Sequence, residues 1–233
     1  MITMTKYTFP CDVDGCNRKT HGRSPLCSFH MHRLHAHGHA LQEPIRTALK
    51  EPLHRILQWE KSPEGKAAVN AATSHYVKLG QFKLTEYLSD MEVMQTTGTK
   101  NTSYHHEATE IIAQTYQSKD HRQTVRELLA MGIMLEETPE NFRSDLAALC
   151  EAGQTFMRGS MARHQAKFRP KVGRRVAVTR YVKRGTRAEL GKYLMKNFVF
   201  LGVVMAREWT RKIKADQREK EALVAAMQGK TTA

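Results

Sequence analysis

The chain has 233 residues, with 37 Lys and Arg against 23 Asp and Glu, a formal charge of +14 and 40% hydrophobic residues. That is long enough to bury a core and too apolar for a disordered chain, and its longest apolar run, the nine residues 198–206, falls far short of the ~20 that a membrane helix needs. Met1-Ile2-Thr3-Met4-Thr5 lacks the charged-then-apolar layout of a signal peptide, and three clustered cysteines plus one alone suit a reducing compartment better than a disulfide framework, so we expect a soluble cytoplasmic protein.

In chain order, the first feature is Cys11, Cys16, Cys27 and His30, spaced C-x4-C-x10-C-x2-H. Two closely spaced pairs separated by a loop supply the four soft or borderline ligands that zinc takes in a tetrahedron. Gly15 eases a tight knuckle before Cys16, and Ser24-Pro25 can start a helix that carries Cys27 and His30 on one turn. Three cysteines cannot pair evenly as disulfides, and the polar setting of Asp12, Asp14, Asn17, Arg18 and Lys19 offers no core to bury free thiols. Zn2+ is the expected cofactor. His32, His35, His37 and His39 crowd the end of the segment; a solvated histidine-rich face is expected there, with a second metal or a phosphate track beside Arg33 as alternatives.

The residues Cys11, Cys16, Arg18, Leu26, Cys27, His30, Arg33 and Gly38 resemble the small Cys3His zinc module of many phage-encoded proteins, over about residues 9–40 only. That module often accompanies HNH homing endonucleases and is thought to help hold DNA. The resemblance implies a phage or mobile-element origin, a host bacterial cytoplasm and a DNA partner, without implying cutting.

Helices with legible punctuation follow. In 62–80, Ser62 is an N-cap, Pro63 the first helical residue and Gly80 a stop. The next segment sets Phe82, Leu84, Tyr87, Leu88, Met91 and Met94 on a broad apolar face. Thr102 and Asp120 cap the following two helices, and Thr138, Pro139, Glu140 and Gly153 supply a start and a stop for another. Short connections argue for antiparallel neighbours in a bundle. No asparagine lies between His106 and His121, and the best ordered nuclease set is a poor one. His106, Asn141 and His164 span segments that read as bundle, and His106-Glu107-Ala108-Thr109-Glu110 departs from H-E-x-x-H at its last position. Cys150 follows an apolar stripe and reads as a buried core thiol.

Residues 152–188 carry eleven Lys and Arg and no Asp or Glu. So local an excess attracts polyanions. Arginine dominates, and Phe168, Tyr181 and His164 are interleaved with it, which suits phosphate forks and base stacking. Alternating Val172, Val176, Val178 and Val182 predict a short hairpin or arm. Thr186 then caps a long helix with the stripe Leu190, Leu194, Phe198, Leu201, Met205, Trp209 and Ile213.

We therefore expect a mainly α protein in four parts: a zinc module (1–42), a helical bundle (43–155), a basic arm (156–187) and a long C-terminal helix (188–233). The expected function is non-catalytic binding of nucleic acid, namely DNA, through Arg18, Arg23, Arg33, Arg163, Lys167, Arg169, Lys171, Arg174, Arg175, Arg180, Lys183, Arg184 and Arg187. The alternatives are a divergent HNH-lineage metal-dependent endonuclease using His105 and His106, and a regulator docking on RNA polymerase or another host protein through the acidic bundle.

Overall fold

The structure is a computed structural model and describes residues 9–20, 24–99, 103–158, 160, 164–169, 174–179 and 182–229. The mainly α architecture expected from the sequence is present. Helix α1 (Ser28–His37) belongs to the Cys/His segment. It is followed by α2 (Lys50–Trp59), α3 (Pro63–Thr97), α4 (Tyr104–Ser118), α5 (His121–Glu137) and α6 (Asp145–Met157). An antiparallel hairpin of β1 (His164–Arg169) and β2 (Arg174–Thr179) leads to α7 (Arg184–Leu194), a π-turn (Met195–Val199) and α8 (Phe200–Gly229).

Helix α5 forms the centre. Every residue from Leu128 to Met134 is buried, so these two turns have no solvent face, and the polar residues of the helix lie at its two ends. Around it pack Ile56 of α2, Val69 and Tyr76 of α3, Ile111 of α4, Phe156 of α6, Leu190 and Leu194 of α7, and Phe198 of the π-turn.

Side-chain caps start four of the helices. The hydroxyls of Ser62, Ser103 and Ser144 and the carboxylate of Asp120 accept from the backbone N–H groups of Gly65, His106, Ala147 and Gln123. Two of these caps differ from expectation. Ser103 caps α4 in place of Thr102, and Thr138-Pro139 opens only a single 3-10 turn (Pro139–Asn141) before Ser144 starts α6. Thr186 does not cap α7. It lies in the first turn, buried, and donates to Glu107 of α4.

Gly80 does not stop the third helix. Helix α3 runs on for 35 residues, about 52 Å at 1.5 Å per residue. Gly80 lies where the helix meets the Tyr116 ring; a Cβ there would stand 2.3 Å from Cδ2. Beyond Lys83 no residue of the helix is fully buried, though Glu86 and Asp90 still pair with His105 and His106 of α4. Of the broad apolar face expected over 82–94, Leu84, Tyr87, Met91 and Met94 are half-buried, while Phe82 and Leu88 are exposed.

The π-turn changes the C-terminal stripe. Its one extra residue per turn advances the buried face, so Gly202 and Ala206 are buried after Phe198 and Val199 while Leu201 is exposed. Gly202 lies directly on Gly132 of α5. From Arg207 to Val224 almost every residue of α8 is exposed, Trp209 excepted, which meets Trp59 edge-on at 5.6 Å between centroids.

Two measurements check this packing. Gly80→Ala should destabilise the protein by about 1–3 kcal/mol in denaturant unfolding, because the added methyl meets a ring that is itself stacked on His121; a true stop or open helix site would instead gain up to about 1 kcal/mol. Glu60, buried at the end of α2, is the second. Burial raises its pKa, but Arg126 and Arg122 of α5 outweigh that and hold it below its ordinary 4.5. Its stabilising effect is complete above that ordinary value and disappears as pH falls through the depressed folded-state value. Glu60→Gln should cost about 1–3 kcal/mol at neutral pH, and the deficit should shrink in acid unfolding curves below pH 4.5.

Candidate metal centre

The Cys/His segment folds as a knuckle and a helix. Pro10 and Lys19 form an antiparallel bridge that closes the first loop, with Cys11 N–H donating to Arg18 O at 3.2 Å. Gly15 sits at φ +73° between the two cysteines, the left-handed region that a tight turn requires. Cys27 is the N-cap of α1 and His30 lies on its first turn.

This brings Cys11, Cys16, Cys27 and His30 together, their ligand atoms all within 4.8 Å of one another. Cys11 Sγ is 3.3 Å and Cys27 Sγ 3.5 Å from His30 Nδ1, and Cys16 and Cys27 Sγ are 4.0 Å apart. A tetrahedron with metal–sulfur bonds of ~2.3 Å has edges of about 3.8 Å, so the four atoms already stand at the corners such an ion needs. It is the one group of this kind among the described residues.

The local electrostatics favour the thiolate at Cys11 and Cys27 but not at Cys16. Burial works against the charged form of Cys11, but the backbone N–H groups of Cys27 and Val13 outweigh it and lower its pKa. Cys27 is lowered chiefly by the N–H of His30, despite its own burial. For Cys16 the N–H of Arg18 also lowers the pKa, yet burial and the neighbouring thiols of Cys11 and Cys27 together raise it. Three thiolates repel one another, and a bound cation would remove that penalty. Cys150 belongs elsewhere. It is fully buried in α6, and burial pushes its thiol up to about 11.

The other expected site residues are placed unequally. Arg18 and Arg33 both lie over the ring of Phe29: their guanidinium carbons are 4.2 Å and 4.5 Å from its centroid. Phe29 precedes His30 and is 38% exposed. Its four-residue spacing from Arg33 was visible in the sequence as a helical neighbour; the approach of Arg18 was not. Lys183 and Arg184 are exposed at the start of α7. Arg187 is buried instead and donates from Nη1 to the backbone carbonyl of His35, tying α7 to the metal module. Lys167, Arg169, Arg174 and Arg175 fall in the hairpin strands, and the register sets Arg169 opposite Arg174 and Phe168 opposite Arg175. Arg23, Arg163, Lys171 and Arg180 lie outside the described residues.

The histidines at the end of the module do not share one solvated face. His32 is exposed, but His37 is bonded through Nδ1 to the buried carboxylate of Glu151, and His39 Nδ1 accepts from the N–H of Leu41 at 3.1 Å. Farther away, His106 Nδ1 pairs with Asp90 at 2.9 Å and His105 Nε2 with Glu86 at 3.3 Å. Neither joins a third metal-ligating side chain among the described residues.

No protein-family model, curated protein or solved structure matches this chain.

The cluster predicts a simple stoichiometry. Elemental analysis of purified protein should find about one metal ion per chain, lost in Cys11→Ser or His30→Ala and retained in Cys150→Ala. Chelation should release thiols while sparing most of the helical circular dichroism, since the bundle core lies outside the ten-residue α1.

Proposed function

We propose that this is a zinc-containing DNA-binding protein, of phage or mobile-element origin as its Cys3His segment implies, that holds its target without cutting it. The observation that carries this reading is the concentration of eleven cations and no acids in residues 152–188, much of it on a two-stranded hairpin. The antiparallel register sets Arg169 opposite Arg174 in that strand pair. The start of α7 adds to it. Its first turn holds no acidic residue, although acids are the favoured partners of a helix N-terminus. Lys183 and Arg184 are exposed there, while the one carboxylate bonded to that turn, Glu107 of α4, is engaged by Thr186.

Zinc is the metal that best fits three thiolates and one imidazole nitrogen in a tetrahedron. Cys11, Cys16, Cys27 and His30 would hold it. Four protein ligands close the coordination sphere, which is the pattern of a structural ion, whereas a catalytic zinc keeps a position open. The ion therefore stiffens a small contact surface. Phe29 sits beside the ligand His30 and pre-positions Arg18 and Arg33 through cation–π contacts, which lessens the rotamer freedom these side chains lose on meeting phosphates.

Binding to labelled duplex and single-stranded DNA across a salt series tests this. Six phosphate contacts give a log–log slope of about −5. Joint replacement of Arg169, Arg174 and Arg175 by Ala should weaken binding and flatten the slope by about 2 to 3. Phe29→Ala should weaken binding with little change in slope, since it removes no charge. Strands that stay intact with magnesium or manganese support the binding reading. Cleavage abolished by joint His105→Ala and His106→Ala changes would replace it with the nuclease reading. Absence of binding at low salt would overturn it in favour of a protein partner.

A further inference from the structure

A second site lies where the metal module meets the bundle. His37 at the end of α1, Pro44 and Arg46 in the following segment, Glu151 and Gln154 of α6, and Arg158 just beyond α6 enclose a cavity of about 420 Å³. This falls within the ~300–1,000 Å³ typical of small-ligand pockets, and its walls are mainly polar, unlike the apolar groove of about 360 Å³ beside Leu201 and Val204.

The walls are built. The Glu151 side chain is 1% exposed and bonded to His37 Nδ1, so one buried carboxylate fixes the imidazole. Gln154 is fixed in turn by donating from Nε2 to Ala36 O at 3.2 Å. Gly38, in the left-handed region at φ +80°, ends α1 against the backbone of Leu146 and sets the distance between α1 and α6. Arg187, buried on α7, holds the carbonyl of His35 from the other side. Arg46 is exposed and makes no ion pair among the described residues. Arg46 thus brings a positive charge to a cavity that Arg158 also lines and whose carboxylate, Glu151, is already engaged by a histidine.

We propose that this cavity binds the phosphate group of a nucleotide. Arg46 and Arg158 supply planar donors suited to phosphate oxygens, Gln154 supplies a side-chain amide within the same cavity, and Glu151 orients the His37 ring and takes no part in direct contact. Because His37 and Gly38 sit on the helix that carries Cys27 and His30, the site is complete only when the metal module is folded. It goes beyond DNA gripping by the arm and does not depend on it.

The test uses the metal-loaded full-length protein, with a 5′-phosphorylated dinucleotide, its 5′-hydroxyl counterpart and inorganic phosphate as probes, in calorimetric titrations. A dinucleotide is too short to span the arm's cations, so failure here leaves the DNA-binding reading intact, and failure of long-DNA binding leaves this site intact. The phosphorylated dinucleotide should bind with a stoichiometry of about one and roughly tenfold tighter than the hydroxyl form, as one charge-assisted contact implies. Inorganic phosphate should compete with it. Arg46→Ala should lose about tenfold and Arg46→Glu should abolish binding. Arg46 is exposed, so neither change should alter the circular dichroism. Equal affinity for the two dinucleotides, or full affinity retained in Arg46→Glu, would overturn the proposal.

Discussion

The bundle is arranged around a helix whose middle two turns have no outside. The run Leu128 to Met134 is buried on every face, which obliges the chain to supply apolar cover in all directions from α2, α3, α4, α6 and the α7–α8 segment. Close approach follows from that demand. Gly132 lets the backbone of Val199 and Gly202 reach α5, and Gly80 lets α3 lie on Tyr116. Where cover would have to be charged, it is paired: Glu60 closes the α2 end of the core against Arg122 and Arg126. The π-turn belongs to the same solution, because the added residue keeps Phe198, Gly202 and Ala206 on the α5 side of one continuous helical segment.

The metal module is attached to this body by polar contacts. His37 meets Glu151, Arg187 meets the carbonyl of His35, and Gln42 is bonded by Nε2 to Asn141 O at 3.0 Å while its Oε1 accepts from Arg143 N–H at 3.0 Å. Polar attachments hold orientation better than an apolar patch, since each bond has a preferred direction. They also leave space between the two parts, and the polar cavity beside Arg46 is that space.

A division of labour follows for the proposed activity. The bundle is a rigid carrier, with several acidic groups of its middle section engaged in ion pairs such as Lys119–Glu127 and Arg207–Glu136. The cations assigned to that activity fall in the hairpin sequence, at the exposed start of α7, and beside Phe29 in the Cys/His segment. Separating them in this way lets long-range attraction fall on the hairpin while the module contributes a few fixed contacts.

The ligand set was legible in the sequence because all four residues lie within twenty positions and their chemistry is restrictive: three cysteines with one histidine on a helical turn have few other uses. Helix type and the starts of α3 and α5 were legible for a similar reason, since Asp120, Ser62 and Pro63 act on their own neighbours. What the sequence could not decide were features set by distant partners. Gly80 reads locally as a stop, and only the Tyr116 ring makes it a contact. Leu201 continues an apolar stripe, and only the π-turn rotates it to solvent. Arg187 counts as one more cation of a basic stretch until α1 places the carbonyl of His35 in its reach. His37 and Glu151 are 114 positions apart, and their pairing exists only because α1 and α6 pack together. Local chemistry determined the metal ligands and the helices; the packing of those helices decided which charges face the solvent and which hold the protein together.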